Sequence, residues 1–211
     1  MEIIWRGHSC FQIRSGDTTI ITDPFSESLG FPLGDPIATI ATVSHRHPHH
    51  DSWSALRGAP LVIKGAGDYE RSNIHIKGIN TPRSDPDKQR EANTVYMIQV
   101  EGINLCHLGD LNEMPSSRQI EELGRSHILF VPAGGVCTLN IHQVAEVINL
   151  IDPKMVIPMH YKTEGVVVEL ETLEPFLKEM GVKEAVPRPR LSVSSSNLPS
   201  ERQLVVLQRA T

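Results

Sequence analysis

Cysteine is scarce in this chain: three residues among 211. Cys10, Cys106 and Cys137 lie far apart and form no CxxC pair, which fits reduced thiols in a cytoplasm and not a disulfide framework. Long hydrophobic runs are also missing. No stretch approaches the roughly 18 apolar residues of a membrane span. The opening MEIIWRGHSC has neither the basic start nor the apolar core of a signal peptide, so a cytoplasmic location is expected. Positive charge is in deficit, with 20 Lys and Arg against 25 Asp and Glu, a net charge of −5 and a pI near 6.0. Broad nucleic-acid binding, which needs a basic face, is therefore disfavoured. Aromatics make up only 5%, too few for a stacking path along a single strand. A small anionic substrate stays open, because a bound metal reverses the sign of a local field. No short repeat and no long linker divides the chain, and residues 1–211 read as one domain.

A chain of this length buries roughly 70% of its unfolded surface and needs no disulfide or structural metal merely to fold. Its first third reads as short strands: Ile3-Ile4-Trp5, Cys10 to Ile13, Thr18 to Thr22 and Thr39 to Val43. Asp51 or Ser52 can N-cap a short helix through Leu56. More strand-like runs follow at Leu61–Lys64, Ile74–Ile76, Val95–Val100 and Ile103–His107. After residue 115, helices near 116–123, 141–151 and 173–180 alternate with strands at Ile128–Val131, Met155–Ile157 and Leu204–Leu207. Strands in succession, then alternation, predict two sheets sandwiched between helices.

What the chain has in plenty is histidine, ten in all, and most of them lie at predicted strand ends. Ser44-His45-Arg46-His47-Pro48-His49-His50-Asp51 follows the strand ending at Val43; His107 ends another, in His107-Leu108-Gly109-Asp110; His160 ends a third, in Pro158-Met159-His160-Tyr161-Lys162; His8 lies between the first two strands. Loops at C-terminal strand ends are where ligands usually sit. Imidazoles from three such loops can enclose a cation of the zinc type, and a carboxylate such as Asp110 can bridge two ions. Either strand-end histidine alone would more often be a satisfied polar residue; the combination reverses those odds. His75, His127 and His142 join no such constellation.

Together, Gly7-His8-Ser9-Cys10-Phe11, Thr22-Asp23-Pro24, the histidine loop, HLGD, Val131-Pro132-Ala133-Gly134-Gly135 and Pro158-Met159-His160-Tyr161-Lys162-Thr163 resemble the metallo-β-lactamase superfamily. Within it they resemble the branch of metal-dependent hydrolases similar to L-ascorbate-6-phosphate lactonase. The resemblance implies an α/β fold, the four-layer αββα sandwich, with the metal site at one edge of the sheets. It implies one or two divalent transition metals, zinc above all, with manganese, iron or nickel as alternatives. His45, His47 and His107 would hold the first ion, His50 and His160 the second, with Asp110 bridging and His8 beside the site. Asp23 would orient a ligand histidine or be a turn residue before Pro24.

Two departures stand out. The family motif has an aspartate where this chain has His49. Three outcomes are open: His49 ligates in its place, Asp51 swings in, or the second site is weak. Where related chains often carry a histidine after the middle strands, this one has Thr81-Pro82-Arg83-Ser84-Asp85, and Arg83 is either a contact for an anionic substrate or a solvated residue. Cys137 reads as a packed thiol, with no base to activate it. Tyr161 and Lys162 are near enough to a ligand to touch substrate, or are surface residues. The implied activity is hydrolysis of a small ester, lactone or phosphoester by hydroxide generated at the metal, with Asp110 orienting the nucleophile and His8 or His49 shuttling a proton. The rivals are a phosphodiesterase or nuclease on the same fold, and a metal-binding protein with a degenerate second site. No oligomeric state is implied.

Overall fold

A computed structural model describes residues 1–82 and 92–210. Two mixed sheets face one another across the main core. The first takes β1 (Glu2–Gly7), β2 (Cys10–Ser15), β3 (Thr18–Thr22), β4 (Ile40–Val43) and β5 (Leu61–Lys64), with the short β12 (Leu191–Ser192) added at its edge; its order is β12-β1-β2-β3-β4-β5. The second contains β6 (Gly67–Arg71), β7 (Ile74–Thr81), β8 (Asn93–Val100), β9 (Ile103–His107), β10 (Ile128–Pro132), β11 (Met155–Met159) and β13 (Gln203–Leu204), ordered β13-β11-β10-β9-β8-β7-β6.

Alternation along the strands separates two apolar faces. In β3 and β4, Ile20 and Ile40 point into the core between the sheets, where Phe11 packs on Phe130 at 4.3 Å between ring centroids. Their neighbours Ile21 and Ala41 point outward, into a second cluster with Phe25, Leu29, Leu33 and Leu56. Short 3₁₀ turns at Glu27–Leu29 and Trp53–Ala55 and the loops around them roof that outer face. The second sheet has true helices over it. These are α1 (Ser117–Leu123), α2 (Ile141–Ile151) and α3 (Glu174–Glu179), with α1 against β7, α2 against β10 and α3 against α2. Capping boxes start two of them: Ser116 with Gln119, and Asn140 with Gln143.

The helix expected after the histidine loop is instead the 3₁₀ turn at Trp53–Ala55, and Asp51 is not its cap. The Asp51 carboxylate is 2.6 Å from Lys64 Nζ on β5, so an ion pair takes the place of the cap. Strand β6, with few apolar residues, and the two-residue β12 carry little periodic signal.

Register brings the site together. Strands β3, β4 and β5 run parallel, with Thr22 opposite Thr42, so Asp23 and Ser44 leave the sheet side by side. Strands β9, β10 and β11 also run parallel, pairing Phe130 with His107 and Pro132 with Met159. The β1–β2 turn at His8 reaches the same edge, where the His160 amide donates to the His8 carbonyl at 3.0 Å.

Candidate metal centre

Asp110 lies at the middle of this edge, 3% exposed. Its Oδ1 is 3.3 Å from His50 Nε2 and 3.2 Å from His160 Nε2, while Oδ2 is 3.6 Å from His45 Nε2. One oxygen thus faces one pair of imidazoles and the other faces a third. The backbone places it there: Asp110 N donates to Asn93 Oδ1 at 2.9 Å, and Asn93 Nδ2 donates to the Leu108 carbonyl at 3.0 Å. Gly109 has a φ of +58°, and a Cβ there would come within 2.4 Å of Asn93 Oδ1. Only glycine fits that close approach. Asn93 escaped the sequence reading because a polar residue at a strand start carries no pattern.

Asp23, completely buried, fixes two histidines at once. It accepts from Ser44 N at 2.7 Å and from Ser44 Oγ at 2.6 Å, and its Oδ2 lies 2.9 Å from His50 Nδ1. A carboxylate accepting from His50 requires the proton on Nδ1, which leaves the Nε2 lone pair directed at the Asp110 side. Ser44 Oγ spends its proton on Asp23 and therefore accepts from His45 Nδ1, 3.1 Å away. His45 is held in the same tautomer, again with Nε2 towards Asp110. Burial pushes the Asp23 carboxyl above its ordinary value, against the opposing influence of His107 and Ser44. Of the two readings for Asp23, the histidine-orienting one matches this geometry.

Among the described residues three overlapping groups of potential ligands result, each with its donor atoms within 4.8 Å of one another: His45, His47 and His50; His8, His50 and His160; and Asp110, Cys137 and His160. His8 therefore sits inside the cluster. Burial, followed by the neighbouring His160 and His50, holds its imidazole well below the usual value, so it is neutral and its lone pair is available. For His160 burial is the largest single influence and opposes charge, but the Asp110 carboxylate and the Cys137 side chain together outweigh it and lift the group to about 9. The buried Nδ1 atoms of His8 and His160 have no hydrogen-bond partner among the described residues. Buried polar nitrogens are rarely left in that state without a ligand. His8, Asp23 and His160 also all adopt positive φ, at 52°, 38° and 54°, a strained conformation for non-glycine residues that concentrates at functional sites. The donor set, imidazole-rich with one shared carboxylate, fits a transition metal of the zinc type.

Two expected ligands lie elsewhere. His107 is fully buried below the pocket, with Nε2 2.8 Å from the Ser9 carbonyl and Nδ1 accepting from Gly109 N at 3.3 Å. Both nitrogens are committed to backbone, and burial lowers its pKa. His107 braces the turn that carries Asp110, and the structure does not bring it to the donor cluster. His107→Ala is accordingly expected to cost about 2–4 kcal/mol of stability while leaving metal stoichiometry unchanged. Calorimetric melting with elemental analysis of the same sample checks both; a lost metal equivalent with unaltered melting would restore His107 as a ligand. His49 stands at the rim, with Nε2 3.2 Å from Ser28 Oγ and its ring edge-on to His47 and His8. It lines the pocket but belongs to none of the three donor groups. Asp51 is paired with Lys64 and belongs to none of the donor groups, and Arg83 lies outside the described residues.

The pocket over the cluster has a volume of about 200 Å³ and is walled by Val168, Glu169 and Leu170. Lys162 builds that wall by donating from Nζ to the carbonyls of Val166 and Val168. Tyr161 is buried and stacked on Trp5 at 5.1 Å, and burial raises its hydroxyl pKa. Neither residue is a solvated surface group. No helix among the described residues is long and apolar enough to cross a membrane.

Comparison with known proteins bears on the family and the fold. Residues 2–160 match the family model described as the beta-lactamase superfamily domain. A crystal structure from Thermotoga maritima, described as a candidate Zn-dependent hydrolase of the metallo-beta-lactamase superfamily, is 34% identical with a TM-score of 0.80, covering 98% of this chain and 97% of its own. A UPF0173 metal-dependent hydrolase of Thermoplasma volcanium is 28% identical over 200 residues, 79% of this chain and 86% of the relative. A candidate metal-dependent hydrolase from Parabacteroides distasonis, 18% identical with a TM-score of 0.66 over 98% of this chain and 93% of its own, shares the fold.

Proposed function

Since the chain belongs to the metallo-β-lactamase superfamily, we propose that this metal-dependent hydrolase acts on a small ester, lactone or phosphoester, with zinc as its metal. The observation that carries the reading is Asp110, whose two carboxylate oxygens face different imidazole sets inside a pocket of about 200 Å³. A bound divalent metal supplies two things: a water whose pKa falls from 15.7 towards about 7, and polarisation of the carbonyl or phosphoryl oxygen under attack.

The chain's own residues do the rest. Asp110 orients the attacking water between the imidazole sets. Asp23 and Ser44 keep His45 and His50 in the tautomer that presents Nε2. His8, neutral and inside the pocket, offers its lone pair to the ion; His49, half-buried at the rim, is placed to pass a proton to solvent. Val168 and Leu170 exclude water from one side. The pocket volume favours a small substrate, and the acidic chain disfavours a polynucleotide. If the motif resemblance to the branch similar to L-ascorbate-6-phosphate lactonase extends to substrate, a sugar-derived lactone or phosphoester with negative charge is the first choice to test, in a cytoplasmic setting suited to three reduced cysteines.

One observation favours a second reading. His49 turns towards Ser28 and away from the donor groups, as expected if the second site has weakened and the protein binds metal without turnover. Zinc-loaded protein purified without a histidine tag separates the two readings on a panel of aryl esters, lactones and phosphate mono- and diesters. Turnover of one small class, abolished by chelation and restored by zinc, is the expected result. Tight zinc binding without turnover on any class supports the binding protein, and turnover that survives both chelation and His45→Ala places the chemistry outside this pocket.

A further inference from the structure

We propose that Cys137 is a thiolate ligand of the metal centre, making the site beside Asp110 and His160 selective for thiophilic ions. The inference rests on reading the pocket as a metal centre, and its test is chosen to fail separately.

The loop that carries Cys137 is shaped around His160. Gly134 follows β10, and a Cβ on it would lie 2.2 Å from the His160 carbonyl oxygen and 2.8 Å from Tyr161 Cα. The chain can press against His160 this closely only because residue 134 is glycine. It then turns back sharply through Gly135 at φ +55° and Val136 at φ +60°. Val136 is not glycine, so the turn is strained, and its side chain is 64% exposed and supplies no packing in return. The turn is closed by Cys137 N donating to the Gly135 carbonyl at 2.8 Å. Its consequence is to set the Cys137 side chain in the pocket wall.

There the thiol sulfur, an Asp110 oxygen and a His160 nitrogen all lie within 4.8 Å of one another. Donors sharing one tetrahedral zinc, at about 2.3 Å for sulfur and about 2.0–2.1 Å for nitrogen or oxygen, stand roughly 3.3–3.8 Å apart. The group therefore needs little movement to close on an ion. His160 is 2% exposed, its imidazole lies within hydrogen-bonding reach of the Cys137 side chain, and its buried Nδ1 has no other hydrogen-bond partner among the described residues. The other two cysteines behave differently: Cys10 and Cys106 are fully buried, and burial raises both thiols, Cys106 to about 12. They are inert packing groups, whereas Cys137 is partly open to the pocket. Replacing an oxygen donor by sulfur shifts preference from manganese and magnesium towards zinc, iron and cobalt.

Cobalt(II) reports this directly. Full-length protein, reduced and stripped of metal, is titrated with cobalt(II), wild type beside Cys137→Ser and Cys137→Ala. Visible d–d bands register metal entry, and a near-ultraviolet sulfur-to-cobalt charge-transfer band registers a thiolate bond. The expected result is both features in wild type, with the charge-transfer band lost in both variants and the d–d bands kept. Wild type with d–d bands but no charge-transfer band overturns the thiolate while leaving the metal centre intact. A charge-transfer band that persists in the variants also overturns it. If no cobalt enters wild type at all, by spectrum and by elemental analysis, the metal-centre reading fails and the proposal fails with it. Melting of the metal-free forms confirms that the substitutions at this half-buried position leave the fold in place.

Discussion

Asp110→Ala is expected to lower kcat/KM of the zinc-loaded enzyme by about 10²–10⁴-fold, the range for removing a positioned acid–base or orienting group. The same change should reduce bound zinc, because the carboxylate faces His45, His50 and His160 at once. Asp110→Asn keeps the shape and one acceptor oxygen but loses the charge, so its metal content should fall between wild type and alanine. Neither variant disturbs the bond from the residue 110 amide to Asn93, since only the side chain is altered. The folded state should therefore survive, and steady-state kinetics with elemental analysis separates lost chemistry from lost structure. Full activity in Asp110→Ala would remove the carboxylate from the mechanism.

The second large effect belongs to a residue that need never meet substrate. Asp23→Ala strands the Ser44 amide and His50 Nδ1 in a buried site, where each lost acceptor costs about 1–3 kcal/mol. A loss of about 2–5 kcal/mol follows, enough to lower Tm by roughly 5–15 °C in a chain of this size. Metal affinity should fall by about 10–100-fold as well, because His50 loses its partner and Ser44, no longer donating to Asp23, ceases to fix the tautomer of His45. His107→Ala is the contrast, since it removes stability without removing a donor group. Thermal melts of the metal-free proteins and competitive zinc titrations measure the two effects independently. Unchanged zinc affinity in Asp23→Ala would show that the tautomers are set by something else.

Much of the architecture was legible because its signals are periodic. Helix α2 was readable at 141–151 from its helical spacing, and the strand-end positions of His45 and His160 placed their loops on one edge. His107 shows where such reasoning stops. Its position at the end of β9 matches a ligand's, but strand position does not reveal which way a ring turns, and a carbonyl from the distant Ser9 claimed it. For His49 the spacing within HxHxHH left three outcomes open, and a contact with Ser28, distant in sequence, sets its ring at the rim of the pocket. The αL conformations of His8, Asp23 and His160, the clamp by Asn93 and the approach of Cys137 all arise from contacts between segments far apart in sequence. No local pattern encodes them.

Anomalous X-ray diffraction at the zinc edge, from crystals of tag-free protein loaded with zinc, tests the central claim most directly. The predicted result is one or two strong peaks beside the Asp110 carboxylate, within bonding distance of nitrogens from His45, His50 and His160, and none at His107. Zinc bound only at other histidines, or an Asp110 pocket without anomalous density in protein that holds zinc in solution, would contradict it.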